Sequence, residues 1–318
     1  MIGSTFPPPQ GESIDSLTKH AETFMRLGDL REAVRLWITI ASLLGEQTPE
    51  EVYHRLGAAY AGLQDCFGGS EEENRTRGDQ HKHTVLRLLH HRLEPDLYLE
   101  IGVDQGQSLA LARGRAIGVD ARPNLSLTVP LPDTARIIAQ SSDAFFRGEA
   151  ASLMRPPPDL VFIDGMHLFE FALRDFRNVE RLAHPATLIV IDDIYPCHPA
   201  QATRLPYTGS WTGDVWKLLP ILRRWRPDLR WMTLDARGTG LLLVTGLNPD
   251  SNVLWQEYAG ILSEYLSDQD PQAEILEREG ALASDNPLLT QWLRLLPRCR
   301  KEGWTRERLL GELIGMRD

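Results

Sequence analysis

The chain has 318 residues, 42% of them apolar and 25% charged, with a formal net charge of −10. The length is enough for one large α/β domain plus accessory helices, or for two domains, the composition is ordinary for a globular protein, and the acidity argues against a general nucleic-acid binder, which needs clustered Lys and Arg. No apolar run reaches membrane-spanning length, and Cys66, Cys197 and Cys299 are too few and too scattered for a disulfide framework or a zinc site, so a reducing cytoplasm is the expected compartment.

Residues 1–13, with Pro7, Pro8 and Pro9, lack the basic start and apolar core of a signal peptide and read as a disordered lead-in. Residues 14–92 read as helices. The stretch Leu27 to Ala33 with Trp37 resembles the inner part of a tetratricopeptide repeat, and Tyr53, Leu56, Gly57 and Tyr60 match the opening of a following one. One and a half repeats cannot bury a solenoid core, so this region is expected either to cap the rest of the chain or to bind a partner. Gly68 to Gly78 is polar and reads as an exposed loop. His81, His83, His90 and His91 follow on a helix, without the carboxylate support a metal site needs.

From 93 to 247 strands and helices alternate, as a mostly parallel sheet requires. Seven strands are expected, at 97–101, 116–119, 135–139, 159–163, 187–191, 229–234 and 240–245. The first ends in Glu100, followed by Gly102 and Gly106, and Ser108 then opens an apolar, helix-like segment. Glycine allows close approach of backbone to ligand, and a helix start offers free N–H groups, so this turn suits a nucleoside-bearing cofactor. The second strand ends in Asp120, an acceptor for a ribose diol. The spacing is G-x-x-x-G rather than the dinucleotide G-x-G-x-x-G. Glu-x-Gly-x-x-x-Gly before an acidic second strand resembles the class I S-adenosylmethionine-dependent methyltransferases, whose fold is a Rossmann-like, doubly wound, seven-stranded sheet.

Two further strands end in carboxylates, one in Asp164 and one in Asp192-Asp193. Ligands bind at the carboxyl ends of parallel strands, so the three can meet beside the cofactor. Three carboxylates together need a cation, and oxygen donors suit Mg²⁺. His167, three residues past Asp164, titrates near neutrality and suits a general base for a substrate hydroxyl. Phe162 to Asp175 with Ile189 to Ile194 is similar to the metal-dependent O-methyltransferases, a group that includes catechol, caffeoyl-coenzyme A, macrolide-sugar and antibiotic-tailoring enzymes. The resemblance spans residues 95–246. It implies Asp164, Asp192 and Asp193 as metal ligands and His167 as catalytic base. It also implies Glu100, Gly102, Gly106 and Ser108 on the methionine part of S-adenosylmethionine, Asp120 on the ribose, and Ser141, Ser142 and Asp143 on the adenine. The turn Ala183-His-Pro-Ala186 departs from the group's usual Gly-Gly.

The aromatic loop Tyr195 to Asp214 follows the Asp192-Asp193 strand and reads as an acceptor wall or lid, while Arg223-Arg-Trp-Arg226 reads as the solvated face of a helix. Residues 248–318 are helical, with apolar stripes at Trp255 to Tyr265 and Leu288 to Leu295 that suit core or subunit contact and leave room for a homo-oligomer. The expected activity is methylation of a hydroxyl on a small molecule, a natural-product or sugar-type diol. The alternatives are an inactive scaffold that uses the N-terminal helices, or a non-methylating tailoring enzyme on the same fold.

Overall fold

The computed structural model describes residues 12–64 and 67–316, so most of the expected lead-in and Cys66 lie outside the described residues. Helices α1 (Ile14–Leu27), α2 (Leu30–Leu44), α3 (Glu50–Gln64) and α4 (Lys82–Leu93) precede strand β1 (Leu97–Ile101). Ser13 and Asp29 cap α1 and α2 through their side-chain oxygens, and Gly28 ends α1 in the left-handed conformation.

The remaining strands are β2 (Arg115–Val119), β3 (Ala135–Ile138), β4 (Leu160–Ile163), β5 (Leu188–Ile191), β6 (Arg230–Leu234) and β7 (Leu241–Thr245). They form one sheet in the order β3-β2-β1-β4-β5-β7-β6, parallel except for β7, which is antiparallel to both β5 and β6. All seven expected strands are present, and the expected final hairpin forms the antiparallel edge. Both faces of the central strands are covered, which is why they read as unbroken apolar runs.

Alternation along β1 puts Leu97, Leu99 and Ile101 in one core and Tyr98 in the other. The first core packs on α5 (Ser142–Arg147), α6 (Ala150–Leu153), α7 (Phe169–Leu182) and α8 (Leu218–Trp225), and receives Leu254 of α9 (Val253–Gln256), Ile261 of α10 (Tyr258–Tyr265) and Ile275 of α11 (Ala273–Leu276). The second packs on α4, α12 (Pro287–Glu302) and α13 (Arg306–Gly315). The C-terminal stripes therefore cover the chain's own sheet.

A third core joins α1–α3 to Leu168 and Phe171 at the start of α7. Buried polar contacts reinforce it: Ser42 Oγ donates to Glu170 Oε1 at 2.7 Å, and Arg177 Nη2 donates to Glu46 Oε1 at 2.6 Å. The N-terminal helices thus sit over the carboxyl ends of the strands. One expectation is corrected in α8. Arg223 and Arg224 are exposed, but Arg226 is fully buried and paired with Glu180 and Asp228 rather than solvated.

Candidate active site

The turn after β1 is shaped by two left-handed glycines, Gly102 (φ 87°) and Gly106 (φ 80°). A Cβ on Gly102 would lie 2.0 Å from the Asp164 carbonyl oxygen, so only glycine lets β4 end this close to the turn. Asp120 draws the turn toward β2: its Oδ2 accepts from Val103 N (2.9 Å) and Asp104 N (3.0 Å), and its Oδ1 from Arg122 N (2.7 Å). The helix expected after Ser108 is only one 3-10 turn, Leu109–Leu111. Gly114 and the start of β2 follow at once and leave no length for more. The N–H groups at this site therefore come from the turn itself rather than from a long helix.

Glu100 and Ser108 do not face open space. Glu100 is fully buried and accepts from Tyr98 Oη (2.6 Å) and Ser108 Oγ (2.7 Å). Burial pushes its carboxyl up to about 8, with Asp164 adding to the shift and the two hydroxyls opposing it. The reason is strand alternation: Glu100 shares the side of β1 that carries Tyr98, beneath the turn. These two residues support the turn from below.

The side chains of the three residues expected at the adenine all have partners within the protein. Ser141 caps α5 and binds Glu50 of α3 through both N and Oγ. Ser142 bonds Asp175. Asp143 is buried in a bidentate pair with Arg174 (3.0 and 2.8 Å) and accepts from the Tyr53 hydroxyl. The sequence offered no sign that Glu50 and Tyr53, some 90 positions upstream, would claim Ser141 and Asp143.

Parallel register sets Ile101 beside Ile163 and Ile163 beside Ile191, so Asp164, Asp192 and Asp193 gather at one edge next to the turn. Asp193 holds a left-handed backbone (φ 64°), unusual for a residue other than glycine and typical of functional sites. His167 Nε2 lies 3.1 Å from Asp193 Oδ2 and 3.5 Å from Asp164 Oδ1. Its Nδ1 is 3.0 Å from the Trp211 carbonyl oxygen, and its ring stacks on the Trp211 indole at 5.1 Å. Gly213 permits this approach, because a Cβ there would overlap the His167 carbonyl oxygen.

Burial alone would lower the His167 imidazole, but Asp193 and Asp164 overcome it and push it up to about 9. Burial, aided by Asp192 and Asp164 against His167, pushes Asp193 up to about 7. Asp164 moves the other way, to about 2, because Lys82 and His167 outweigh its burial.

Lys82, the first residue of α4, was not foreseen. Its ammonium bridges Asp164 Oδ2 (2.8 Å) and Asp192 Oδ2, while Asp192 Oδ1 accepts from Thr239 Oγ1 at 3.0 Å. Sequence offered only a lysine between two histidines at a helix start. Tyr60 of α3 also reaches the site: its ring lies 5.9 Å from Trp211, and burial together with Asp193 and Asp104 pushes its hydroxyl up to about 12.

Donor atoms of Asp164, His167 and Asp193 lie within 4.8 Å of one another, and the Lys82 ammonium already stands in as a cation between Asp164 and Asp192. Carboxylate oxygens gathered around a cation position fit a hard divalent ion. The loop Tyr195 to Asp214 closes one side of this edge. Gln201 Nε2 donates to the carbonyls of Glu73 and Arg75, and Gly209 N donates to Asn74 Oδ1, so it is tied to the 68–80 loop.

A seven-stranded sheet of this order, with a glycine turn after β1 and acidic tips on β2, β4 and β5, defines a class I methyltransferase fold. Residues 99–194, from the glycine turn through Asp192-Asp193, match the family model Methyltransf_24, a methyltransferase domain. No curated protein matches the chain. Among solved structures, the O-methyltransferase from Bacillus cereus in complex with SAH is 14% identical, over 68% of this chain and 100% of that one, at a TM-score of 0.39. TomG from Streptomyces achromogenes, an O-methyltransferase involved in tomaymycin synthesis solved with SAM, is 17% identical over 52% and 78%, at 0.41. The MycE methyltransferase of the mycinamycin pathway, in complex with Mg and SAH, is 21% identical over 65% and 64%, at 0.38.

Proposed function

We propose that the chain is an S-adenosylmethionine-dependent O-methyltransferase that holds a divalent cation and acts on a hydroxyl of a small, diol-bearing acceptor. The observation that carries this reading is the convergence of Asp164, His167, Asp192 and Asp193 beside the Gly102–Gly106 turn. Gly102, Gly106 and Asp120 form the cofactor rim, with Glu100 and Ser108 bracing it from below. The cofactor, when bound, supplies an electrophilic sulfonium methyl group. Asp164, Asp192 and Asp193 would hold the cation, which supplies Lewis acidity toward the acceptor hydroxyl and cancels carboxylate charge.

His167 provides the proton acceptor. Its Nδ1–H donates to the Trp211 carbonyl; Nε2, kept protonated by the facing Asp193 and Asp164 carboxylates, would be freed to take the hydroxyl proton once the cation cancels their charge. Trp211 stacking holds the ring in that orientation. The aromatic loop and Tyr60 wall the cleft and limit water, which favours transfer to the acceptor over side reactions.

The test combines calorimetry with S-adenosylmethionine and product detection by mass spectrometry against a panel of diols. Asp192→Ala, or treatment of the wild type with a chelator, is expected to abolish turnover while the cofactor still binds. Full turnover by metal-stripped enzyme would overturn the metal role, and absence of cofactor binding would overturn the activity.

A further inference from the structure

Both oxygens of Asp192 are engaged, Oδ2 by the Lys82 ammonium and Oδ1 by the Thr239 hydroxyl. These two partners are set on Asp192 by one feature. The 77–81 segment pairs with 237–238 through Arg237 N to the Gln80 carbonyl (2.7 Å) and Gly238 N to the Arg77 carbonyl (3.1 Å), which delivers Lys82 from one side and Thr239 from the other. Asp192 is buried, and Asp164 shares the same ammonium. A cation that reaches Asp164 Oδ2 or Asp192 Oδ2 meets a positive charge already in place. Two cations crowded on the same oxygens repel strongly where water is scarce.

We propose that Lys82 is a displaceable internal counter-ion of the acidic cluster, competing with the divalent cation for Asp164 and Asp192. The proposal rests on the reading of this cluster as a metal site. In the metal-free chain the ammonium holds the carboxylates together against their mutual repulsion and keeps the site formed. A lysine suits this role because it is a compact charge on a flexible four-carbon stem, able to swing aside by side-chain rotation alone. Its position at the first residue of α4 leaves the helix intact when it moves.

The experiment measures Mn²⁺ binding by calorimetry to the full-length wild type and to Lys82→Met, which keeps the stem and removes the charge. Lys82→Met is expected to bind Mn²⁺ at least about tenfold more tightly, since each factor of ten corresponds to about 1.4 kcal/mol of removed competition. Equal or weaker binding by the variant, with binding by the wild type intact, overturns the competition and leaves the metal reading standing. No binding by either protein, both folded by circular dichroism, overturns the metal reading and the proposal with it. Should the variant not fold, lysine acylation of the wild type followed by peptide mapping decides. The chain has only Lys19, Lys82, Lys217 and Lys301, so Lys82 is easily resolved. Saturating Mn²⁺ is expected to raise labelling at Lys82, and unchanged labelling overturns the proposal.

Discussion

At the scale of single residues, His167 and Glu100 show how one neighbourhood sets opposite chemical duties. His167 faces Asp193 and Asp164 through Nε2 and is braced through Nδ1, so His167→Ala is expected to lower kcat by about 10²–10⁴-fold with cofactor binding unchanged, read by steady-state kinetics and calorimetry. Glu100 has a structural duty. Its ordinary value of 4.5 rises to about 8 on burial, so its stabilising contribution is complete below pH 4.5 and is lost as pH rises through about 8. Glu100→Gln should therefore remove a loss of stability of up to about 1.4 kcal/mol per pH unit across that window. Denaturant melts of both proteins at pH 5 and pH 8 check this, and parallel pH dependence would contradict it. Gly102→Ala forces a Cβ into the Asp164 carbonyl and is expected to abolish cofactor binding or folding, seen by calorimetry and thermal melts. The types and order of these residues were legible in the sequence. Their orientation was not, because whether Glu100 faces the cleft depends on which face of β1 the tertiary packing assigns to ligand.

At the scale of elements, α1–α3 pack onto the start of α7 and so form part of the surface around the sheet. The positions that resembled a second repeat serve the sheet domain: Tyr53 bonds Asp143 and Arg174, Gly57 lies against the Arg122 side chain, and Tyr60 meets Trp211. Asp143 is buried beside Arg174, so Arg174→Met leaves an uncompensated charge and is expected to cost about 3–5 kcal/mol, measured by denaturant unfolding. Removal of residues 1–64 exposes Leu168 and Phe171 and strips Ser141 and Asp143 of partners. The truncated chain is expected to aggregate rather than melt cooperatively, as light scattering would report. The seven strands were legible because apolar runs and glycine punctuation are local signals. The pairing of α3 with α5 and α7 was not, because it joins Ser141, Asp143 and Arg174 to side chains about 90 to 120 residues away.

At the scale of the whole molecule, the site is assembled from separate stretches of chain: the turn after β1, the tip of β4, the tip of β5 with the aromatic loop that follows it, and the helices that precede the sheet. The aromatic loop is anchored in the interior, since Arg204 pairs with both Glu170 and Asp214. Among the described residues, no helix is long and apolar enough to cross a membrane. By itself the sequence determined the sheet, the glycine turn and the acidic strand tips, because backbone conformation and strand periodicity are written within a few neighbouring residues. Only the tertiary structure decided that Lys82 stands between Asp164 and Asp192, that Tyr60 enters the cleft, and that Asp143 pairs with Arg174. Those outcomes follow from long-range packing and from the need of every buried charge for a partner, and neither leaves a local trace in the chain.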